Sequence, residues 1–254
     1  MAAPKSKKLQ SSKKSASAPP FETASLRKGL QAFAKLKYPD ENGEHNIGWF
    51  KWGVYIFYDC DREPIYVGQT NEKISGRISR HLTNQRTDAV AMSVLDPFEV
   101  FEIEVYPLPE YQSVTSKHSE FRTAKTHLDA LEYYVHKKAI EGSKFKAILN
   151  EKDPERPKVS IIPPKPRRDR IVSEEVFELR SHPDVRLARR AQTIAKLAQV
   201  ISERDIQKHG GLRRVLVVQS QRLESLAKDR FRSLGGEVLI QHGSESDGVE
   251  SEHD

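Results

Sequence analysis

The residues able to do chemistry in this sequence are two tyrosines, an arginine–histidine step and one glutamate on an apolar helix face. In GVYIFYDCDREPIYVGQT, residues 53–70, Tyr55 and Tyr66 stand in two short apolar runs beside Gly53 and Gly68. A strand tyrosine is most often core packing, and with an ordinary pKa of about 10 its phenol is a poor base at neutral pH. A nearby cation or metal-bound hydroxide changes that, by favouring the phenolate or sharing its proton. Gly68 has no Cβ and would let a substrate backbone come close. Arg77 and His81 follow, four residues apart and therefore neighbours on one helix face. A planar guanidinium there suits the non-bridging oxygens of a phosphate, to which it donates two hydrogen bonds at once. Glu132 falls within the apolar arc of Leu128, Leu131, Val135 and Ala139. A carboxylate among aliphatic groups is costly unless something compensates it. A magnesium ion would do so, since it takes one or two protein carboxylates and leans on substrate phosphates. An ion pair with Arg77 or Lys125 would do so equally, and both readings stay open at this level.

These groups need elements to position them. The spacing of Leu26, Leu30, Phe33 and Leu36 predicts a helix over 24–36. WGVYIFYD and EPIYVGQT predict two strands joined by a charged turn, and ISGRISRHLTNQR a helix with Ile74, Ile78 and Leu82 in one row. PFEVFEIEVYPL, 97–108, reads as a third strand, 109–123 as a loop, AKTHLDALEYYVHKKAI as a helix and KFKAILN as a short one. Residues 153–170 hold five prolines and a basic cluster, and predict an extended linker. Beyond it, 173–207 reads as helical, followed by RRVLVVQS, QRLESLAKDRFRSLGG and EVLIQHG as strand, helix and strand. The expected division is a basic disordered tail (1–22), a first domain with its N-terminal helix (23–152), a linker (153–170), a C-terminal accessory region (171–242) and an acidic disordered tail (243–254).

Composition narrows the class. The 254 residues carry a net charge of +6 and suit a polyanionic partner. No apolar run approaches the roughly 20 residues that span a bilayer, and the basic N-terminus lacks the apolar core of a secretory signal. The single Cys60 excludes a disulfide framework and a cysteine-rich zinc site, so a cytoplasmic, intracellular protein is expected. Arg186, Arg189 and Arg190 would either track phosphates or form an ordinary solvated helix face.

GVY at 53–55 and YVG at 66–68 resemble the paired signature of the GIY-YIG nucleases, each with a Val/Ile exchange. The arginine–histidine step of that family resembles Arg77 and His81, its metal-binding glutamate matches Glu132, and its downstream asparagine matches Asn150. The resemblance spans about residues 48–152. It implies an α+β fold in which a small three-stranded antiparallel sheet is flanked by helices, here with a C-terminal α/β accessory region appended. It also implies divalent-metal-dependent hydrolysis of DNA phosphodiesters, with Mg2+ as cofactor and Mn2+ as a substitute. Tyr66 or Tyr55 would accept the proton of the attacking water, Arg77 would hold the scissile phosphate and His81 would orient the nucleophile or assist proton transfer. Glu132 would bind the metal, and Asn150 would support the site by hydrogen bonding. Gly68, Lys73, Arg80, Arg167 and Arg168 complete the residues expected at the nucleic acid. The 109–123 loop is longer than in the smallest members, as a DNA-contacting insertion or a harmless excursion. Restriction or defence is the first setting and repair or mobile-element cleavage the next, with a non-catalytic nucleic-acid-binding module as the alternative class. A homodimer would let a single-site nuclease cut both strands of a palindrome.

Overall fold

The computed structural model describes residues 20–40, 43–83, 94–203 and 210–237. The expected basic tail as far as residue 19, the acidic tail, and all but the first residue of the expected EVLIQHG strand lie outside them. Six α-helices and two antiparallel sheets occur among the described residues: α1 (Phe21–Ala34), β1 (Lys37–Asp40), β2 (Gly43–Asn46), β3 (Gly53–Tyr58), β4 (Pro64–Thr70), α2 (Ile74–Thr83), β5 (Glu102–Pro107), α3 (Phe121–Gly142), β6 (Arg167–Arg170), α4 (Glu174–Ser181), α5 (Pro183–Ser202) and α6 (Gly210–Ser233).

The main sheet has the order β4-β3-β5-β6, every pair antiparallel. All six residues of β3 are buried, because helices cover both faces of the sheet at this strand. A strand covered on both sides reads as a continuous apolar run rather than an alternation. Tyr55 and Phe57 point to the face packed by α1 and α2, together with Ile103 and Val105. Val54 and Ile56 point to the other face, against Leu128, Leu131 and Val135 of α3. On α2, Ile74, Ile78 and Leu82 are buried as their spacing predicts, and the helix start is fastened by Ile74 N–H donating to the Phe50 carbonyl at 2.9 Å.

The sheet has four strands rather than three, and a small hairpin, β1–β2, precedes it. β6 is RRDR, from the end of the expected linker. It carries no apolar alternation, and its place is set by side chains: Arg168 stacks on Tyr58 at 3.5 Å and donates to Glu102 at 2.6 Å. A charged outer strand of this kind also blunts the sheet edge. The third strand is shorter than expected, since 97–99 forms a 3-10 turn capped by the Asp96 carboxylate, which accepts from Phe98 N–H at 2.9 Å. The expected short helix at KFKAILN is absent. Lys146 has φ +50°, and the segment runs along β4 instead, with Leu149 N–H donating to the Ile65 carbonyl at 2.8 Å. The 109–123 segment packs over Trp52, whose Nε1–H donates to the Val114 carbonyl at 3.3 Å.

The C-terminal region is helical throughout its described residues, and RRVLVVQS is the first half of α6 rather than a strand. Its β-branched valines favour strand locally, but Leu212, Val215, Val218 and Gln219 recur at helical spacing and are the buried ones. Helices α4–α6 share the hydrophobic cluster of α1, α2 and the sheet through Val176, Leu197, Leu212, Val215 and Val218. Buried and partly buried ion pairs fasten the same contact. Arg222 meets Asp59 at 2.6 Å, Arg190 meets Glu99 at 3.1 Å, and Arg180 and Arg189 meet Glu22 at 3.1 and 2.6 Å. Arg186 pairs with Asp61 in the β3–β4 turn. Arg190 is thus an internal strut, and Arg186 and Arg189 are partly buried and engaged with Asp61 and Glu22.

Candidate active site

The β3–β4 register sets Tyr55 opposite Gly68 and Phe57 opposite Tyr66. A Cβ built on Gly68 would lie 2.5 Å from both Cζ and Oη of Tyr55. The absent side chain is therefore filled by the Tyr55 ring, which crosses β4 and delivers its hydroxyl to the sheet edge. This corrects the expectation that the Gly68 gap receives substrate backbone: the glycine makes room for the phenol.

Two side chains meet that hydroxyl, and a third braces one of them. His81, reaching back from α2, places Nδ1 3.3 Å from it. The imidazole meets Tyr66 edge-on with ring centroids 4.6 Å apart, so the second tyrosine braces the histidine. Arg77, one turn earlier on α2 and exposed, lies beside the Tyr55 phenol and within charge range of Tyr66. Burial pushes the Tyr55 phenol up to about 12 against the pull of Arg77, and Glu132 adds to the rise. Tyr55 therefore keeps its proton at neutral pH.

Glu132 comes from the other side of the sheet. It is half-buried on α3, where Leu128, Leu131 and Val135 are fully buried, and burial raises its carboxyl above the ordinary carboxylate range. Its partner is Gln69, whose amide N–H donates to Glu132 Oε2 at 2.7 Å. Lys125 pairs with Asp129 at 2.5 Å rather than with Glu132, and also donates to Gln69 Oε1 at 3.1 Å. Of the two compensations open from sequence, direct pairing with Arg77 or Lys125 is not the one adopted; a neutral amide meets the carboxylate. A half-buried carboxylate beside a second acid, Asp129, suits a divalent cation that would share its remaining positions with water and phosphate.

Asn150 also lies at this edge. Its amide accepts from Val67 N–H at 3.0 Å and donates to the Val67 carbonyl at 2.8 Å, copying a neighbouring strand residue between Tyr66 and Gly68. Lys73 and Arg80 are exposed on the α2 side, with Arg80 paired to Glu72 at 2.5 Å. Arg167 and Arg168 are not brought here. They sit on β6, at the opposite edge of the sheet from β4, and Arg168 is spent on Glu102 and Tyr58. Gln69 and Asp129 join the site without having stood out in the sequence. The first stands one residue past Gly68, and the second three residues before Glu132 on the same helix face, a spacing that signals proximity.

Residues 51–141 match the family model of the GIY-YIG catalytic domain. This stretch of the chain, carrying Tyr55, Tyr66, Arg77, His81 and Glu132, is accordingly a GIY-YIG domain, a nuclease-type catalytic domain on an α+β fold. No curated protein and no solved structure matches the chain.

Proposed function

We propose that this protein is a divalent-metal-dependent endonuclease that hydrolyses DNA phosphodiester bonds, with Mg2+ as the working ion and Mn2+ able to replace it. One observation carries the reading. The Tyr55 hydroxyl, His81 Nδ1 at 3.3 Å and the Arg77 guanidinium meet at the edge of β4, within charge range of Glu132. Glu132 would hold the metal, which would supply positive charge for the departing 3′ oxygen.

The protein's own groups do the rest. Arg77, exposed and donating in a planar fork, holds the non-bridging oxygens and the charge that develops on them. Tyr55 takes the proton of the attacking water as it passes its own to His81 Nδ1, a relay that avoids a free phenolate in a buried position. Tyr66 braces the imidazole, and Asn150 holds β4 straight between Tyr66 and Gly68. Lys73 and Arg80 extend the positive surface of α2 along the nucleic acid. A nuclease domain packed against its own C-terminal helices suits restriction or defence, and a homodimer would supply the second cut.

The test is supercoiled plasmid incubated with purified protein, with and without Mg2+, beside Glu132→Ala and Tyr55→Phe. Nicking by the wild type, lost without Mg2+ and in both variants, is the expected result. Binding of the same plasmid in a gel shift with no cleavage under any metal would overturn the enzyme in favour of a binding module. Equal cleavage by Glu132→Ala would remove the metal role.

A further inference from the structure

The Gln69 side chain hydrogen-bonds from β4, the strand of Tyr66, to the helix of the glutamate. Its backbone belongs to β4, paired with Val54 and directly after Gly68, whereas its amide touches three groups of α3. Nε2 donates to Glu132 Oε2 at 2.7 Å and to Asp129 Oδ1 at 3.1 Å. Oε1 accepts from Lys125 Nζ at 3.1 Å. An ammonium only donates, so Lys125 must face the amide oxygen, and that fixes the NH2 end toward the two carboxylates. With the amide reversed, its oxygen would point at Glu132 and Asp129, acceptor against acceptor.

We propose that Gln69 is a positioning residue for the Glu132 carboxylate and that Lys125, by orienting the Gln69 amide, acts with it to set the affinity of the site for its divalent ion. This rests on the assignment of Glu132 as metal ligand made above. Groups that hydrogen-bond a ligating carboxylate fix its direction, and losing them typically weakens metal binding about 10- to 100-fold. Lys125 gives the idea a sharp sign. Taken as a mere charge, its ammonium repels an incoming cation, and deleting it should tighten binding. Acting through Gln69, it should do the reverse.

The experiment is Mn2+ binding to the full chain without DNA, followed by the EPR signal of free Mn2+, for the wild type, Gln69→Met, Lys125→Met and Glu132→Ala. Gln69→Met is expected to weaken binding at least 10-fold. Lys125→Met is expected to weaken it as well, despite the removal of a positive charge. The double variant should bind no worse than Gln69→Met alone, because Lys125 works through the amide. Plasmid cleavage should recover toward the wild-type rate at saturating Mn2+, a split that general damage to the fold would not produce. Tighter Mn2+ binding by Lys125→Met, or unchanged binding by Gln69→Met, overturns the proposal. Unchanged binding by Glu132→Ala overturns the metal assignment itself and is read separately. Lys125 sits on a half-exposed helix surface, so its variant keeps the test decisive should Gln69→Met fold poorly.

Discussion

Gly68 shows how much one missing methyl decides. An alanine there would bring Cβ to 2.5 Å from the Tyr55 ring, so the ring must swing or the strands must part. Overpacking of this kind typically destabilises by about 1–3 kcal/mol. Displacing a reacting group by about 1 Å can lower a rate roughly 100-fold. Gly68→Ala is therefore expected to stay folded by circular dichroism, melt a few degrees lower and cleave plasmid about 100-fold more slowly. A variant with wild-type cleavage would show that Tyr55 need not cross β4. His136 offers a prediction in pH. It is buried on α3, 3.5 Å from Asp153, and burial holds its pKa below the ordinary 6.5. As pH falls below about 6.5 the unfolded chain takes up this proton first, and stability declines until the folded imidazole protonates too. Urea midpoints at pH 7.5 and 5.5 should differ more in the wild type than in His136→Gln.

At the scale of elements, β4 is an edge strand that carries both Tyr66 and Gly68 and therefore needs a straight, closed outer side. The chain supplies it from Leu149 and Asn150, which pair with Ile65 and Val67. Asn150→Ala removes an acceptor and a donor from the peptide of the buried Val67, and each unsatisfied group costs about 1–3 kcal/mol. We expect the variant to lose stability in that range, and hydrogen exchange at Val67 to rise more than at Ile56 of the central strand. Equal protection at both amides would show that the clamp is decorative. The same segment explains a misreading: KFKAILN has the composition of a helix, but the left-handed Lys146 and the open edge beside it favour an extended path. RRVLVVQS errs in the other direction. Its valines favour a strand, yet α5 and the acidic β3–β4 turn reward only the helical arrangement that buries Val215, Val218 and Arg222 together.

For the whole molecule, the arginines of α4–α6 matter as fasteners. Asp59, in the β3–β4 turn, meets Arg222 at 2.6 Å with both groups buried. Removing one partner of a buried pair leaves the other charge uncompensated and typically costs about 3–5 kcal/mol, whereas replacing both with apolar groups is often near neutral. Asp59→Ala should therefore lower the urea midpoint sharply, and Asp59→Leu with Arg222→Leu should restore most of it. A chain ending at Val172 would lack Val176, Leu197, Leu212, Val215 and Val218, all members of the cluster that holds Leu26, Phe33 and Ile103. It is expected to lose cooperative unfolding. A sharp two-state melt of that fragment would establish an independent catalytic domain.

Residue types and short spacings were enough to place Tyr55, Tyr66, Arg77, His81 and Glu132 on the strands and helices where they lie. Those elements are local: short apolar runs bounded by turn residues mark the strands, and a period of 3.6 residues marks the helices. Only the tertiary structure decided that Gly68 seats the Tyr55 ring, that Gln69 rather than a cation meets Glu132, and that Arg186, Arg189 and Arg190 pair with Asp61, Glu22 and Glu99. It alone decided, too, that RRDR completes the sheet. Each of these depends on which distant surface a side chain meets, as with Arg190 and Glu99 or Arg168 and Tyr58. A charged run has the same local signature whether it faces water, phosphate or a buried carboxylate, so long-range packing makes the choice.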